Sequence, residues 1–225
     1  MDILLIAATE AEIAPLAKLI ANNKVSGSET AYHFAWGRLV VCVAGVGMVA
    51  TAYALTKQLA AHRYDIVVQA GIGGAYNRQL QLGQVVLIAT EQYGDMGAQD
   101  HDSYIDINAL GLLDGNTHPY IDGKLPAPET EAGKALQLQV VSGITVNTVS
   151  GNEATIARMQ TEYAPDTESM EGAAMHYVCL MEGVPFLQIR AISNYVEPRN
   201  REKWDIPLAV HNLNDVLAKL FNTIL

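Results

Sequence analysis

The chain has 225 residues, half of them hydrophobic and 17% charged, with a formal net charge of −10. That length suits one large domain or two small ones, and the apolar content excludes a disordered chain. The acidic balance argues against nucleic acid or an anionic membrane surface as partner, because both need a basic face.

ILLIAA at 3–8 is a short continuous apolar run, the pattern of a strand buried on both faces, and a helix is expected from Glu10 to Ala21. YHFAWGRLVVCVAG reads as a hairpin joined at Gly37-Arg38, ending in GVG at 45–47. MVATAYALTKQLAAH places apolar residues at helical spacing, and DIVVQAG (65–71) is another buried strand running into GIGGAYN. QVVLIATEQY (84–93) is a further strand. The stretch 94–135 is rich in Gly, Asp, Asn and Pro and reads as a long insertion with little regular structure. Regular signals return with QVVSGITVNTVSG, a helix over 172–182, the strand PFLQIRAIS (185–193) and a final helix over 207–222. No repeat or linker interrupts this alternation. It predicts a single α/β domain over 1–225, with helices on both faces of the sheet.

Cys42 and Cys179 each sit in apolar runs and read as buried free thiols, which suits a reducing compartment. The N-terminus has no basic region ahead of its apolar run, and no segment is long enough to span a bilayer. A cytoplasmic protein with no membrane partner is expected. The six histidines show no metal-ligand spacing, so neither a metal nor a cofactor is proposed.

Ligands of open α/β sheets collect at the carboxyl ends of strands. Four places read as loops leaving strands there: 9–12, 45–47, 71–74 and 193–195. Glycines let backbone amides approach a ligand closely. Neither GVGMVA nor GIGGAYN completes a dinucleotide fingerprint, and tight turns explain such glycines equally well.

The combination of segments is more specific. IAATEAEI, GVG, GIGG, SMEGAA (169–174) and RAISNYVE (190–197) occur in that order. Together they resemble the nucleoside phosphorylase and nucleosidase family, in particular the bacterial methylthioadenosine/S-adenosylhomocysteine nucleosidases, over nearly the whole chain except 94–135. The resemblance implies a three-layer α/β/α sandwich around a central mixed sheet, and a small-molecule nucleoside as partner. It also implies a homodimer in which a partner loop lines the 5′ pocket.

Residue by residue, the resemblance makes Glu12 the group that activates the attacking water. It makes Glu171, directly after Met170, the residue that grips the ribose hydroxyls, with Met170 under the sugar. The position after RAIS, a carboxylate in the nucleosidases that helps protonate the purine at N7, is here Asn194. Val46, Gly71, Ile72 and Ser193 fall in the segments expected to line the substrate. Taken singly, Glu12 and Glu171 read as dipole-favoured residues at helix starts and Asn194 as a turn residue. Cleavage builds oxocarbenium character on the ribose, so carboxylates beside the sugar stabilise the transition state. The family's phosphorylases hold phosphate with arginines, one of them in the N-terminal loop. This chain has no arginine before Arg38 and carries Glu12 in that loop, so hydrolysis is expected.

Asparagine at 194 can donate hydrogen bonds to N7 and O6 but has no proton to transfer, which suits a 6-oxopurine such as hypoxanthine. SNYVEPRNREKW resembles futalosine hydrolases, which release hypoxanthine from futalosine in menaquinone biosynthesis. Trp204 falls, without gaps, where the methylthioadenosine nucleosidases that the chain resembles place an aromatic residue over the 5′ substituent. Arg199 and Arg201 are candidates to pair with a substrate carboxylate, against the bland alternative of surface charges. Three alternatives stay open: a methylthioadenosine/S-adenosylhomocysteine or aminofutalosine nucleosidase, a nucleoside-binding module without catalysis, and a flavodoxin-like signalling domain.

Overall fold

The computed structural model describes residues 1–28, 30–101 and 103–224. β1 (Asp2–Ala7) leads into α1 (Glu10–Leu19), and β2 (Ala31–Phe34) and β3 (Gly37–Val43) form a hairpin. Next come α2 (Met48–Ala61), β4 (Ile66–Ala75) and β5 (Val85–Tyr93). A small hairpin of β6 (Gly97–Asp100) and β7 (Ser103–Asp106) follows, then the short β8 (Leu125–Pro126) and α3 (Glu131–Leu136). The chain continues through β9 (Gln139–Thr145), α4 (Glu153–Tyr163), β10 (Thr167–Ser169) and α5 (Gly172–Glu182). It ends with β11 (Phe186–Tyr195) and α6 (Ile206–Lys219).

The sheet is mixed, ordered β10-β9-β5-β11-β4-β1-β3-β2, with β8 paired to β5. β10 also pairs antiparallel with β4, so β4, β11, β5, β9 and β10 close on themselves. β1, β3 and β2 extend the sheet from this ring.

Side chains alternate across a strand, and that alternation builds the layers. Ile3, Leu5, Val68, Leu187 and Ile189 pack with Ile13 and Leu16 of α1 and Leu213 and Leu217 of α6. Leu4, Ile6, Val67 and Phe186 face the other way, against Leu55 of α2 and Met175, Val178 and Cys179 of α5. The same face of β4 and β11 that starts apolar at Val67 and Phe186 turns polar further along, at Gln69, Gln188 and Arg190. That polar stretch, buried beside the start of α5, positions the site.

Several expectations need correction. The hairpin turn falls at Ala35-Trp36, and Gly37 already begins β3. Its φ of +142° excludes a side chain, and a Cβ there would strike the Met1 backbone. The segments 71–74 and 193–195 are not loops, because they lie inside β4 and β11. The region 94–135 carries regular elements, and α4 and β10 were not anticipated. α4 buries only Ile156 and Met159, too few for a clear apolar period; its start is marked by Asn152, whose side chain accepts from Thr155 N at 2.9 Å. Cys179 is buried, whereas Cys42 is only half-buried. Among the described residues no helix is long and apolar enough to cross a membrane.

Candidate active site

A cavity of about 290 Å³ opens where the carboxyl ends of β1, β4 and β11 meet the starts of α1 and α5. Its walls include Glu12, Val46, Ile72, Met170, Glu171, Ser193, Asn194 and Trp204, eight of the eleven residues expected from the sequence.

Glu12 sits in the first turn of α1 and is buried. Its Oε2 accepts from Thr9 N at 2.9 Å and Thr9 Oγ1 at 3.0 Å, and its Oε1 accepts from Ile72 N at 3.1 Å. The carboxylate therefore both caps its own helix and ties that helix to β4. Gly71 lies behind it, outside the cavity wall. A Cβ on Gly71 would run into Arg190 Nη1 and come within 2.9 Å of Glu12 Oε1, so a side chain there would displace both groups.

Glu171 is the residue immediately before α5. Its Oε1 accepts from Gly47 N at 3.1 Å, and its Oε2 pairs with Arg190 Nη1 at 3.2 Å. Gly47, at φ +96°, starts α2 in a conformation that favours glycine and aims its amide at this carboxylate. Arg190 Nη2 donates to Gln69 Oε1 at 3.1 Å and Nη1 also approaches Ile72 O at 3.3 Å. An arginine this deeply buried needs such a set of acceptors. Its role was not read from the sequence, although a lone arginine inside the apolar run PFLQIRAIS was a visible signal.

Asn194 owes its direction to an irregularity. Along the parallel pairing of β11 with β4, Ile192 faces Gly73 and Asn194 faces Gly74, leaving Ser193 as an extra residue. Such a bulge re-aims the side chains that follow it. The Ser193 hydroxyl donates to Asn194 Oδ1 at 2.8 Å, and Asn194 Nδ2 donates to Tyr195 O at 3.0 Å. One N–H of the amide is left for a ligand.

Trp204 follows the short 3-10 turn Arg201–Lys203 and closes one side of the cavity. Arg199 and Arg201 are exposed and do not line it. Their guanidinium carbons lie 5.2 and 5.8 Å from the centre of the Trp204 ring, at cation–π distance.

Behind the site, Glu91 is wholly buried and accepts from Gln188 Nε2 at 2.8 Å and Thr145 Oγ1 at 2.9 Å. Burial pushes its carboxyl up to about 7. Burial also pushes His176 down to about 4. Glu168, likewise unanticipated, reaches the cavity from β10. Among the described residues no group of His, Cys, Asp and Glu is arranged to hold a metal ion.

A family model described as the phosphorylase superfamily matches residues 2–224. The chain is 32% identical over 223 residues to the futalosine hydrolase of Acidothermus cellulolyticus, covering 96% of this chain and 89% of that protein. It is 34% identical over 159 residues to the futalosine hydrolase of Streptomyces coelicolor, covering 70% of this chain and 65% of that protein. Among solved structures, the 5′-methylthioadenosine/S-adenosylhomocysteine nucleosidase of Colwellia psychrerythraea in complex with adenine superposes with a TM-score of 0.80 at 21% identity. That superposition covers 98% of this chain and 94% of that one. At that identity the likeness is one of fold.

Proposed function

The chain belongs to the phosphorylase superfamily, and from that premise we propose that it is a nucleosidase that cleaves the N-glycosidic bond of futalosine with water and releases hypoxanthine. The observation that carries this reading is one cavity with Glu12 and Glu171 on its wall together with Asn194.

Glu12 is the general base, taking a proton from the attacking water as the bond from C1′ to the base nitrogen breaks and the bond to water oxygen forms. Such a base typically contributes ~10²–10⁴-fold. Glu171 accepts from the 2′ and 3′ hydroxyls, and its charge lies beside the oxocarbenium character developing on the ribose. Gly47 N and Arg190 hold its carboxylate in place through one contact to each oxygen. The bond pair leaves with the base, whose anion Asn194 Nδ2 stabilises by donating to the imidazole side, and the released anion takes its proton from solvent. Met170 lies under the sugar, Val46, Ile72 and Ser193 border the nucleoside, and Gly71 gives Glu12 and Arg190 their room. Trp204 covers the 5′ substituent, and Arg199 and Arg201 beside it receive a carboxylate carried by that substituent.

Hydrolysis is favoured over phosphorolysis because Glu12 would repel phosphate at the position of attack, and the nearby cation Arg190 is committed to Glu171 and Gln69. The test is product analysis with futalosine, aminofutalosine, methylthioadenosine and inosine, each with and without phosphate. Hypoxanthine and a free ribosyl product, formed from futalosine at a rate that phosphate does not change, are expected. A sugar 1-phosphate would overturn hydrolysis, and preferred release of adenine would favour the alternative nucleosidases.

The functional unit is proposed to be a homodimer in the cytoplasm. α2 exposes Val49 and Tyr53 one turn apart, and α5, packed against it, exposes Tyr177 and Met181, an apolar surface that a second copy would cover. A single sedimenting species of monomer mass would refute the dimer.

A further inference from the structure

Glu168 is a buried carboxylate on the cavity wall that the chemistry above does not use. It lies in β10, opposite Gly74 of β4 in the antiparallel pairing, while Asn194 of β11 lies opposite the same glycine from the other side. Residues directly opposite across a pair project to one face of a sheet. Glu168 and Asn194 therefore flank a slot whose middle strand contributes only Gly74. A Cβ on Gly74 would stand 3.1 Å from Asn194 Nδ2 and 2.9 Å from Val196 Cγ2, intruding on that slot. Two strand spacings make the slot about 10 Å wide between backbones, room for a flat bicyclic base with a hydrogen bond at each edge.

The carboxylate is held on three sides. Oε1 accepts from Ser150 N at 2.9 Å, and Oε2 accepts from Ser150 Oγ at 2.6 Å and from Tyr76 OH at 2.9 Å. Burial and the Glu168 charge itself both raise the Tyr76 phenol, which keeps it a donor. A carboxylate accepts at about four lone-pair positions, so Oε1 has one left. The group is thus fixed as an acceptor with a vacancy.

We propose that Glu168 is a specificity residue that accepts the N1–H of a 6-oxopurine across the slot from Asn194. The inference rests on the 6-oxopurine reading above and deepens it. A 6-oxopurine carries a proton on N1, whereas a 6-aminopurine presents a lone pair there, which a carboxylate repels. The one free N–H of Asn194 reads the edge shared by O6 and N7, Glu168 reads the N1 edge, and both select the same tautomer.

The test compares kcat/KM for futalosine and aminofutalosine on the wild type and on Glu168→Leu. Leucine at 168 accepts no hydrogen bond, so the 6-oxo to 6-amino ratio should fall about tenfold or more in the variant. A wild-type preference for the 6-amino compound overturns the base reading and this inference with it. A wild-type preference for the 6-oxo compound with an unchanged ratio in a folded variant overturns Glu168 alone, leaving it a staple for Ser150 and Tyr76. A second measurement needs no variant: inhibition of the wild type by hypoxanthine and by 1-methylhypoxanthine, which lacks the N1–H. Inhibition by the methylated base should be about tenfold weaker or more, and equal inhibition overturns the proposal whatever the variant does.

Discussion

Arg190 Nη1 lies 3.2 Å from Glu171 Oε2, and both side chains are almost completely buried. The ion pair sits one layer behind the proposed sugar site and joins β11 to the start of α5. Replacing Arg190 with leucine leaves the Glu171 charge without its partner. Breaking a buried pair from one side costs roughly 3–5 kcal/mol, so a denaturant titration should show a loss of that order. A lysine retains the charge but cannot reach Gln69, Glu171 and Ile72 O together, and turnover should fall even where stability recovers. Full activity in the lysine variant would show that fixing Glu171 does not depend on the guanidinium.

Glu12→Gln is expected to lower kcat by about 10²–10⁴-fold while leaving substrate affinity nearly unchanged, because a base acts only in the transition state. Glutamine has one accepting oxygen, so it keeps either the Ile72 N contact or the Thr9 contacts, and a thermal unfolding curve is measured beside the kinetics to show that the variant is folded. Steady-state kinetics beside direct binding decide the matter. Parallel losses in both would make Glu12 a structural cap.

Asn194→Asp should narrow or invert the preference for a 6-oxopurine over a 6-aminopurine. For the amino compound the asparagine amide cannot satisfy both N6 and N7, and an unpaired buried polar group costs roughly 1–3 kcal/mol. Tyr195 strengthens the effect, because its carbonyl accepts from Nδ2 and so sets Oδ1 as the acceptor end of Asn194. The measurement is the ratio of kcat/KM values for the two substrates, and an unmoved ratio places selectivity elsewhere.

Replacing Arg199 and Arg201 together with alanine should raise KM for a substrate with a carboxylate on its 5′ chain by about tenfold, with kcat little changed. Inosine, which lacks that group, should respond to neither change. Trp204→Ala should impair both substrates, since Trp204 itself lines the cavity. Equal effects of the double arginine change on both substrates would mean that the arginines only support the tryptophan.

Glu91 makes stability depend on pH. Its folded pKa, pushed up to about 7, exceeds the 4.5 of the free side chain, so its contribution is complete below about 4.5 and lost as pH rises through 7. His176, pushed down to about 4 from 6.5, has the opposite sense, and its contribution is complete above 6.5. The clean window therefore runs from pH 6.5 to about 8.5, where wild type should lose part of a term on the order of 3 kcal/mol. Glu91→Gln should flatten that limb in thermal unfolding curves. A parallel decline in both proteins would remove Glu91 as its cause.

The apolar runs 3–8, 65–71 and 185–193 were legible as buried strands because both of their faces are covered by helices, leaving no polar alternation to blur the pattern. The order of short motifs likewise pointed to Glu12, Met170, Glu171 and Asn194, the first three at strand-to-helix junctions and Asn194 near the end of β11. What the tertiary structure alone decided is which distant residues meet. Arg190 and Glu171 are 19 positions apart, and Glu168 reaches Asn194 only through Gly74, on a strand nearly 100 positions earlier. β10 pairs with β9 and β4 at once, and the bulge at Ser193 turns Asn194 to face the same glycine. Neither leaves a mark in composition or period, because strand pairing and register are set by packing against partners far along the chain.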